Sequence, residues 1–162
     1  MDPHAFELQY ERTGHCGFNC GPLFVTVHKG LPEAEDFESM LAMTGRLVER
    51  YDSLVSLVVL RGEVPLSVDP SRRAAAERLG KAYPGLSKGT ALVLEAEGVR
   101  ASIYRSLLSG VMLISRSKTK TSVFRSVPEA IRWLAEIDSR LAGHVDELGA
   151  GYQTFLGPRG LA

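Results

Sequence analysis

Leu54-Val55-Ser56-Leu57-Val58-Val59-Leu60 is an uncharged, almost wholly apolar run between the polar Arg50 to Asp52 segment and Arg61-Gly62. A surface strand would alternate apolar and polar residues, whereas a short continuous run rich in β-branched side chains suits a strand buried on both faces. This run is expected to be the central strand of an α/β sheet. Further apolar runs at Ala91-Leu92-Val93-Leu94 and Val123-Phe124 supply neighbours for it.

The chain's 162 residues can bury about 70% of the surface of the unfolded chain, enough for one sizeable core. Hydrophobic residues make up 44% and charged residues 23%, which argues for an ordered globular domain. Lys plus Arg and Asp plus Glu both number 19, so no net field draws in nucleic acid or an anionic membrane, and neither is expected as a partner. Met1-Asp2-Pro3-His4 does not open a secretory signal, and no apolar run approaches the ~18 residues of a membrane span, so a cytoplasmic location is expected.

Phe6, Leu8 and Tyr10 alternate with Glu7, Gln9 and Glu11, the period of a half-buried strand. The Gly-rich segment from Gly14 to Pro22 is expected to turn the chain into a second strand, Leu23 to His28, giving an opening hairpin with an irregular tip. Pro32 and the acids Glu33, Glu35 and Asp36 mark a helix start, and Phe37, Met40, Leu41, Leu47, Val48 and Tyr51 form its apolar stripe to about Tyr51. After the central strand, Asp69-Pro70-Ser71 opens a helix through Tyr83 with a small-residue face of Ala74, Ala75, Leu79 and Ala82. Thr90 to Glu95 is the next strand. The spacing of Ile103, Leu107, Leu108, Val111 and Met112 predicts a helix over 99–115, although Gly110 to Ile114 alone also reads as a strand.

Ser122-Val123-Phe124 is a short strand, followed by Ser126-Val127-Pro128-Glu129, a capping box with proline in the first turn. Ala130, Ile131, Leu134, Ile137 and Leu141 continue as the stripe of a final helix. The expected division is one domain over 1–142 and a Gly-rich tail over 143–162, whose Tyr152 and Phe155 are free to dock on the body or on a partner.

This order, an opening hairpin followed by alternating strands and about four helices in a mixed sheet, resembles the STAS domain of the anti-sigma-factor antagonists. The likeness includes the closing strand and helix, Val123-Phe124-Arg125-Ser126-Val127-Pro128-Glu129-Ala130-Ile131-Arg132-Trp133-Leu134, and runs over roughly 6–142. In those antagonists the turn after the central strand carries an Asp and a phosphorylatable Ser at a helix start. The resemblance therefore implies Ser71 as the switch residue in Val68-Asp69-Pro70-Ser71-Arg72-Arg73, with Ser67 second. The small, Gly-containing segment that follows the Ser in that family is here Arg72-Arg73-Ala74.

A phosphate on Ser71 would be favoured by the helix dipole and by Arg72 and Arg73, with Asp69 alongside; the same residues also make an ordinary capped helix start. Cys16 and Cys20 enclose three residues, so in a tight loop they would be a redox pair, with reduced structural thiols as the alternative. His15 beside them leaves a zinc site one ligand short, so no metal is expected, and no cofactor fingerprint is present. Arg116, Lys118 and Lys120 alternate but lack interleaved aromatics, and read as solvated gatekeepers.

No nucleophile elbow, P-loop or dinucleotide fingerprint points to an enzyme. The expected function is a non-enzymatic regulatory or protein-interaction module that docks on a partner or on itself as a homodimer. Arg132 and Trp133, with Tyr152 and Phe155, are the candidate contact residues, Trp133 having the core as its alternative. The other reading is a small-molecule or lipid carrier with an apolar pocket between helices and sheet, recognisable by a cavity with a few convergent polar groups.

Overall fold

Strand pairing in register sorts this chain's side chains onto two unlike surfaces. The structure is a computed structural model and describes residues 5–62, 69–95 and 119–160. Among these, β1 (Glu7–Arg12), β2 (His15–Cys20), β3 (Leu23–Lys29), β4 (Leu54–Arg61), β5 (Ser87–Leu94) and β6 (Lys120–Phe124) form one sheet in chain order. The first three strands are antiparallel, and β3 to β6 are parallel. The mixed sheet and α/β class agree with the sequence reading.

One face carries the rows Phe18, Val25, Leu57, Ala91 and Cys16, Val27, Val59, Val93, every one of them buried. Onto it pack α3 (Val127–Ile137) and α4 (Val145–Leu156) through Ala130, Ile131, Leu134, Leu148, Tyr152 and Leu156. The other face carries Phe24 and Leu54 under α1 (Ala34–Val48), whose Met40, Met43 and Leu47 close a second, smaller cluster; α2 (Pro70–Ala82) lies beside α1. Connecting parallel neighbours β3, β4 and β5, α1 and α2 fall on the same side, as crossovers of one hand require.

The central strand was expected to be buried on both faces. Instead Ser56 and Val58 are only half-buried, because α1 and α2 leave the sheet partly open beneath them. The helix after β3 runs Ala34–Val48, and its inward stripe includes the fully buried Asp36 while Val48 is exposed. In α2 only Ala75 is buried, with Ala76 and Leu79 half-buried and Ala74 and Ala82 exposed. The boundary at Ser126 is as expected, yet the Ser126 side chain makes no capping bond, its extended backbone and Pro128 sufficing to start the helix. The expected helix over 99–115 lies outside the described residues.

Two expectations are corrected. The segment Gly14 to Pro22 is not a hairpin tip but a strand, β2, turned at Gly14 and Gly21, both with positive φ. Its alternation of Cys16, Phe18, Cys20 with His15, Gly17, Asn19 is the strand period. Four residues along an extended strand separate Cys16 from Cys20 by roughly 13 Å, far beyond disulfide reach. Both are buried and neither is in a disulfide, and burial pushes the Cys16 thiol up to about 11, so the pair is not built for redox chemistry.

The segment after 142 is not a free tail. Gly143 leads into α4, which inserts Leu148, Tyr152 and Leu156 into the main core. Phe155 stacks on Phe18 at 4.5 Å between ring centroids and meets Phe6 at 5.8 Å. Gly151 lets this contact form, since a Cβ there would fall 2.3 Å from the Phe6 ring. Leu148→Ala is therefore expected to cost about 2–5 kcal/mol, measured by chemical denaturation; a cost below 1 kcal/mol would contradict a core role for this helix.

Asp138, 2% exposed, ends α3 and accepts bonds from the Arg140 backbone N–H and guanidinium, with Lys88 Nζ 3.6 Å away. Bonding to Arg140 holds its carboxyl below the ordinary value of 3.8. The ionised form is thus favoured by folding. Its stabilisation is complete above 3.8 and disappears as pH falls through the lower folded value. Asp138→Asn should cost about 1–3 kcal/mol at pH 7, with the difference from wild type shrinking in melts taken at progressively lower pH.

Candidate functional site

The face of the sheet beneath α1 and α2 holds a polar set that the opposite face lacks. In register across it run Asn19, Phe24, Ser56, Thr90 and Thr121, so three hydroxyl side chains lie side by side on β4, β5 and β6. Thr26 follows on β3, and Thr44 faces it from α1 with its hydroxyl donating to the Met40 carbonyl at 2.8 Å. Between these hydroxyls and the two helices is a cleft of about 340 Å³. Its apolar walls are Phe24, Met40, Leu54, Leu79 and Leu86, with Tyr83 and the small residues Ala76, Gly80 and Gly85.

Two observations mark the cleft as more than a packing gap. The buried Thr26 hydroxyl lacks a hydrogen-bond partner, a cost of about 1–3 kcal/mol unless something meets it. Moreover, Gly80 on α2 borders the cleft at its exposed edge, where a Cβ would meet nothing within 4 Å, although a larger residue there would favour the helix. Lined by apolar walls around a few hydroxyls, the cleft can hold a small molecule with an apolar body and a hydrogen-bonding edge.

Further along the same face, toward the carboxyl ends of the parallel strands, lie His15 and His28, a registered pair on β2 and β3. Their Nδ1 atoms are 3.0 Å apart. Asp36 of α1 reaches the pair with Oδ2 3.7 Å from His15 Nδ1. The carboxylate also accepts from the Glu33 backbone N–H at 2.8 Å and from Arg12 Nη1 at 3.2 Å. His28 is fully buried, and desolvation followed by the neighbouring His15 pulls its pKa down to about 3, so its ring is neutral at physiological pH. Its Nε2 is buried without a partner.

Tyr10 lies close by, its ring over Gly17, where a Cβ would come within 2.1 Å of it. Burial, and then the Asp36 charge, push the Tyr10 hydroxyl well above its ordinary value and keep it protonated; it too lacks a hydrogen-bond partner.

The sequence reading singled out none of Thr26, Ser56, Thr90, His28 or Asp36 for function. A signal for the histidine pair was present: a turn at Gly21-Pro22 pairs Cys20 with Leu23 and, counting back, His15 with His28.

The residues chosen from sequence fall elsewhere. Asp69 is the N-cap of α2 and accepts from the Arg72 backbone N–H at 3.0 Å. Ser71 and Arg73 are exposed on its first turn, and Ser67 lies outside the described residues. Arg72 is already held by both Glu33 oxygens and by Asp69, leaving two carboxylates beside the place a phosphate would take.

Tyr152 is corrected as a contact residue. It is 1% exposed and its hydroxyl accepts from Arg61 Nη2 at 3.3 Å, because α4 carries it inward. Trp133 rests on Phe124 with ring centroids 5.3 Å apart, and Phe155 is half-buried under the Arg159 guanidinium. Arg132 is exposed and donates to the Pro128 carbonyl. These four residues do not form one exposed patch.

Among the described residues no helix is long and apolar enough to cross a membrane. No family model matches the chain, and no curated protein matches it. The chain is similar to the crystal structure of an uncharacterized protein of the DUF3478 family with a SpoIIAA-like fold from Shewanella loihica PV-4. The two share 16% sequence identity, the match covers 80% of this chain and 92% of that one, and the TM-score is 0.48.

Proposed function

We propose that this protein is a small-molecule-binding α/β module that takes its ligand between the α1–α2 layer and the sheet. The observation that carries the reading is the cleft of about 340 Å³ with hydroxyls on its floor and apolar walls above. The ligand class follows from that lining: a compact, mainly apolar molecule with a polar edge, hydrogen-bonded by Thr26, Ser56, Thr90 and Thr121. The cleft has no Asp, Glu, Lys, Arg or His among its described lining residues, so a neutral polar edge fits better than a carboxylate or phosphate. The module acts by binding and release, without a chemical step.

The competing reading, a regulatory or protein-interaction module, comes from the STAS-like order of elements with Ser71 as its switch, and its candidate contact residues are Arg132, Trp133, Tyr152 and Phe155. With Tyr152 in the core and Trp133 against Phe124, that set has little to offer a partner.

Native mass spectrometry of the protein purified from its own host should show a retained small molecule, released under denaturing conditions. Gly80→Leu projects a side chain into open space from a helix that it also favours, so this variant should fold at least as well and lose the bound molecule. Thr90→Val keeps the shape and removes one hydroxyl, and should weaken binding of the recovered molecule about three- to tenfold. Wild type that retains nothing and takes up no N-phenyl-1-naphthylamine, a neutral apolar probe, or binding indifferent to Gly80→Leu, would overturn the reading.

A further inference from the structure

The His15–His28 contact poses a problem of proton accounting. Each neutral imidazole carries one N–H, so at a separation of 3.0 Å one Nδ1 must donate and the other accept. The accepting ring then carries its proton on Nε2, and for His28 that atom is buried without a partner whichever tautomer holds. The two Nδ1 atoms can be satisfied by that bond or by a cation shared between them, and His28 Nε2 stays without a partner in either case. Asp36, fully buried on the facing helix, turns one oxygen toward the same point.

The three donor atoms are arranged as ligands of one small cation would be. The nitrogen and oxygen donors all lie within 4.8 Å of one another. Two ligands of a tetrahedral ion at about 2.0–2.1 Å from the metal sit roughly 3.3 Å apart, against 3.0 Å for the Nδ1 pair and 3.7 Å from His15 Nδ1 to Oδ2. These two pairs need to move by only a few tenths of an ångström, and the third, His28 with Asp36, closes from within 4.8 Å. The elements that present the donors are braced: His15 and His28 are paired across a ladder, and the Glu33 backbone N–H fixes Asp36.

We propose that His15, His28 and Asp36 form a three-ligand site for a divalent transition-metal ion of the zinc type, bound by both Nδ1 atoms and Oδ2. Two imidazoles and one carboxylate favour Zn²⁺, Co²⁺ or Ni²⁺ over Mg²⁺ and Ca²⁺, which take oxygen ligands. Binding requires each neutral ring to hold its proton on Nε2, a tautomer shift that releases no proton from the pair. His15, with 14% of its side chain exposed, provides the solvent-side approach, and a fourth coordination position stays available to water. Arg12 holds the other carboxylate oxygen, Oδ1, so it leaves Oδ2 to the metal but opposes it by its positive charge; at 43% exposed its side chain has room to move outward.

The site is separate from the cleft, and its test is independent of ligand binding there. Untagged full-length protein, stripped with chelator, is titrated with Zn²⁺ and with Co²⁺ while the imidazole ¹⁵N resonances are followed. One equivalent should bind, moving the Nδ1 signals of His15 and His28 and leaving those of His4 and His144 in place. His15→Gln, a change at the partly exposed ligand, should keep the metal-free melting temperature and weaken Zn²⁺ on the order of 100-fold. Arg12→Gln should do the reverse and tighten it about fivefold, since the competing cation is gone. No uptake at about 0.1 mM Zn²⁺, a level that saturates any site of micromolar affinity, would overturn the proposal. So would uptake that survives His15→Gln, or shifts confined to His144.

Discussion

The register of β3 against β4 and β5 is the constraint on which the rest of this structure depends. Val25, Leu57 and Ala91 lie in one row and Val27, Val59 and Val93 in the next, and all six turn to the face covered by α3 and α4. Because side chains alternate along a strand, a slip of one residue would send β4's apolar set to the other side and bring Ser56 into the core. The same alternation sends Thr26, Ser56 and Thr90 to the α1–α2 face. Core and candidate cleft are thus two consequences of one pairing.

The two faces are finished differently. The α3–α4 side is closed by an aromatic group of Phe6, Phe18, Phe155 and Tyr152, with α4 completing a core that the first 142 residues would leave open. On the α1–α2 side the cover is thinner. Of α2's residues only Ala75 is buried, and its small side chains stand off from the sheet instead of filling it. That economy of side-chain volume is what leaves about 340 Å³ over a hydroxyl floor. A face packed with Leu or Phe at Ala76 and Gly80 would have no such space.

Buried polar atoms are tolerated in this fold mainly where α1 begins. Asp36 is satisfied by Arg12 and the Glu33 N–H, but Tyr10 Oη, Thr26 Oγ1 and His28 Nε2 lack hydrogen-bond partners on this side of the sheet; among the described residues the fourth such buried side-chain atom, Arg159 Nε, lies over Phe155 on the other side. Native domains leave few such groups, and their concentration between β1 to β3 and α1 contrasts with the apolar packing of the opposite face. The carboxyl ends of the parallel strands lie at the same place, the end where open α/β sheets commonly present their ligand sites.

Local pattern by itself determined the α/β class, the central run 54–60, the starts of α2 and α3, and the stripe of α3 as far as Ile137, since each is written in contiguous residues as a period, a cap or a proline; Leu141, expected on the same helix, lies in a 3-10 turn beyond its end. It also placed Asp69 as a cap. It did not reveal β2, because glycines and cysteines obscured a strand whose alternation is small or polar against apolar, and that error carried the redox pair with it. Nor did it show α4 as core, since glycines at 143, 149 and 151 resemble a tail until Phe6 is seen against Gly151. The hydroxyl row and the meeting of Asp36 with the His15–His28 pair were decided by tertiary structure alone. Their members lie on separate elements, and only strand register together with the docking of α1 brings them within reach of one another.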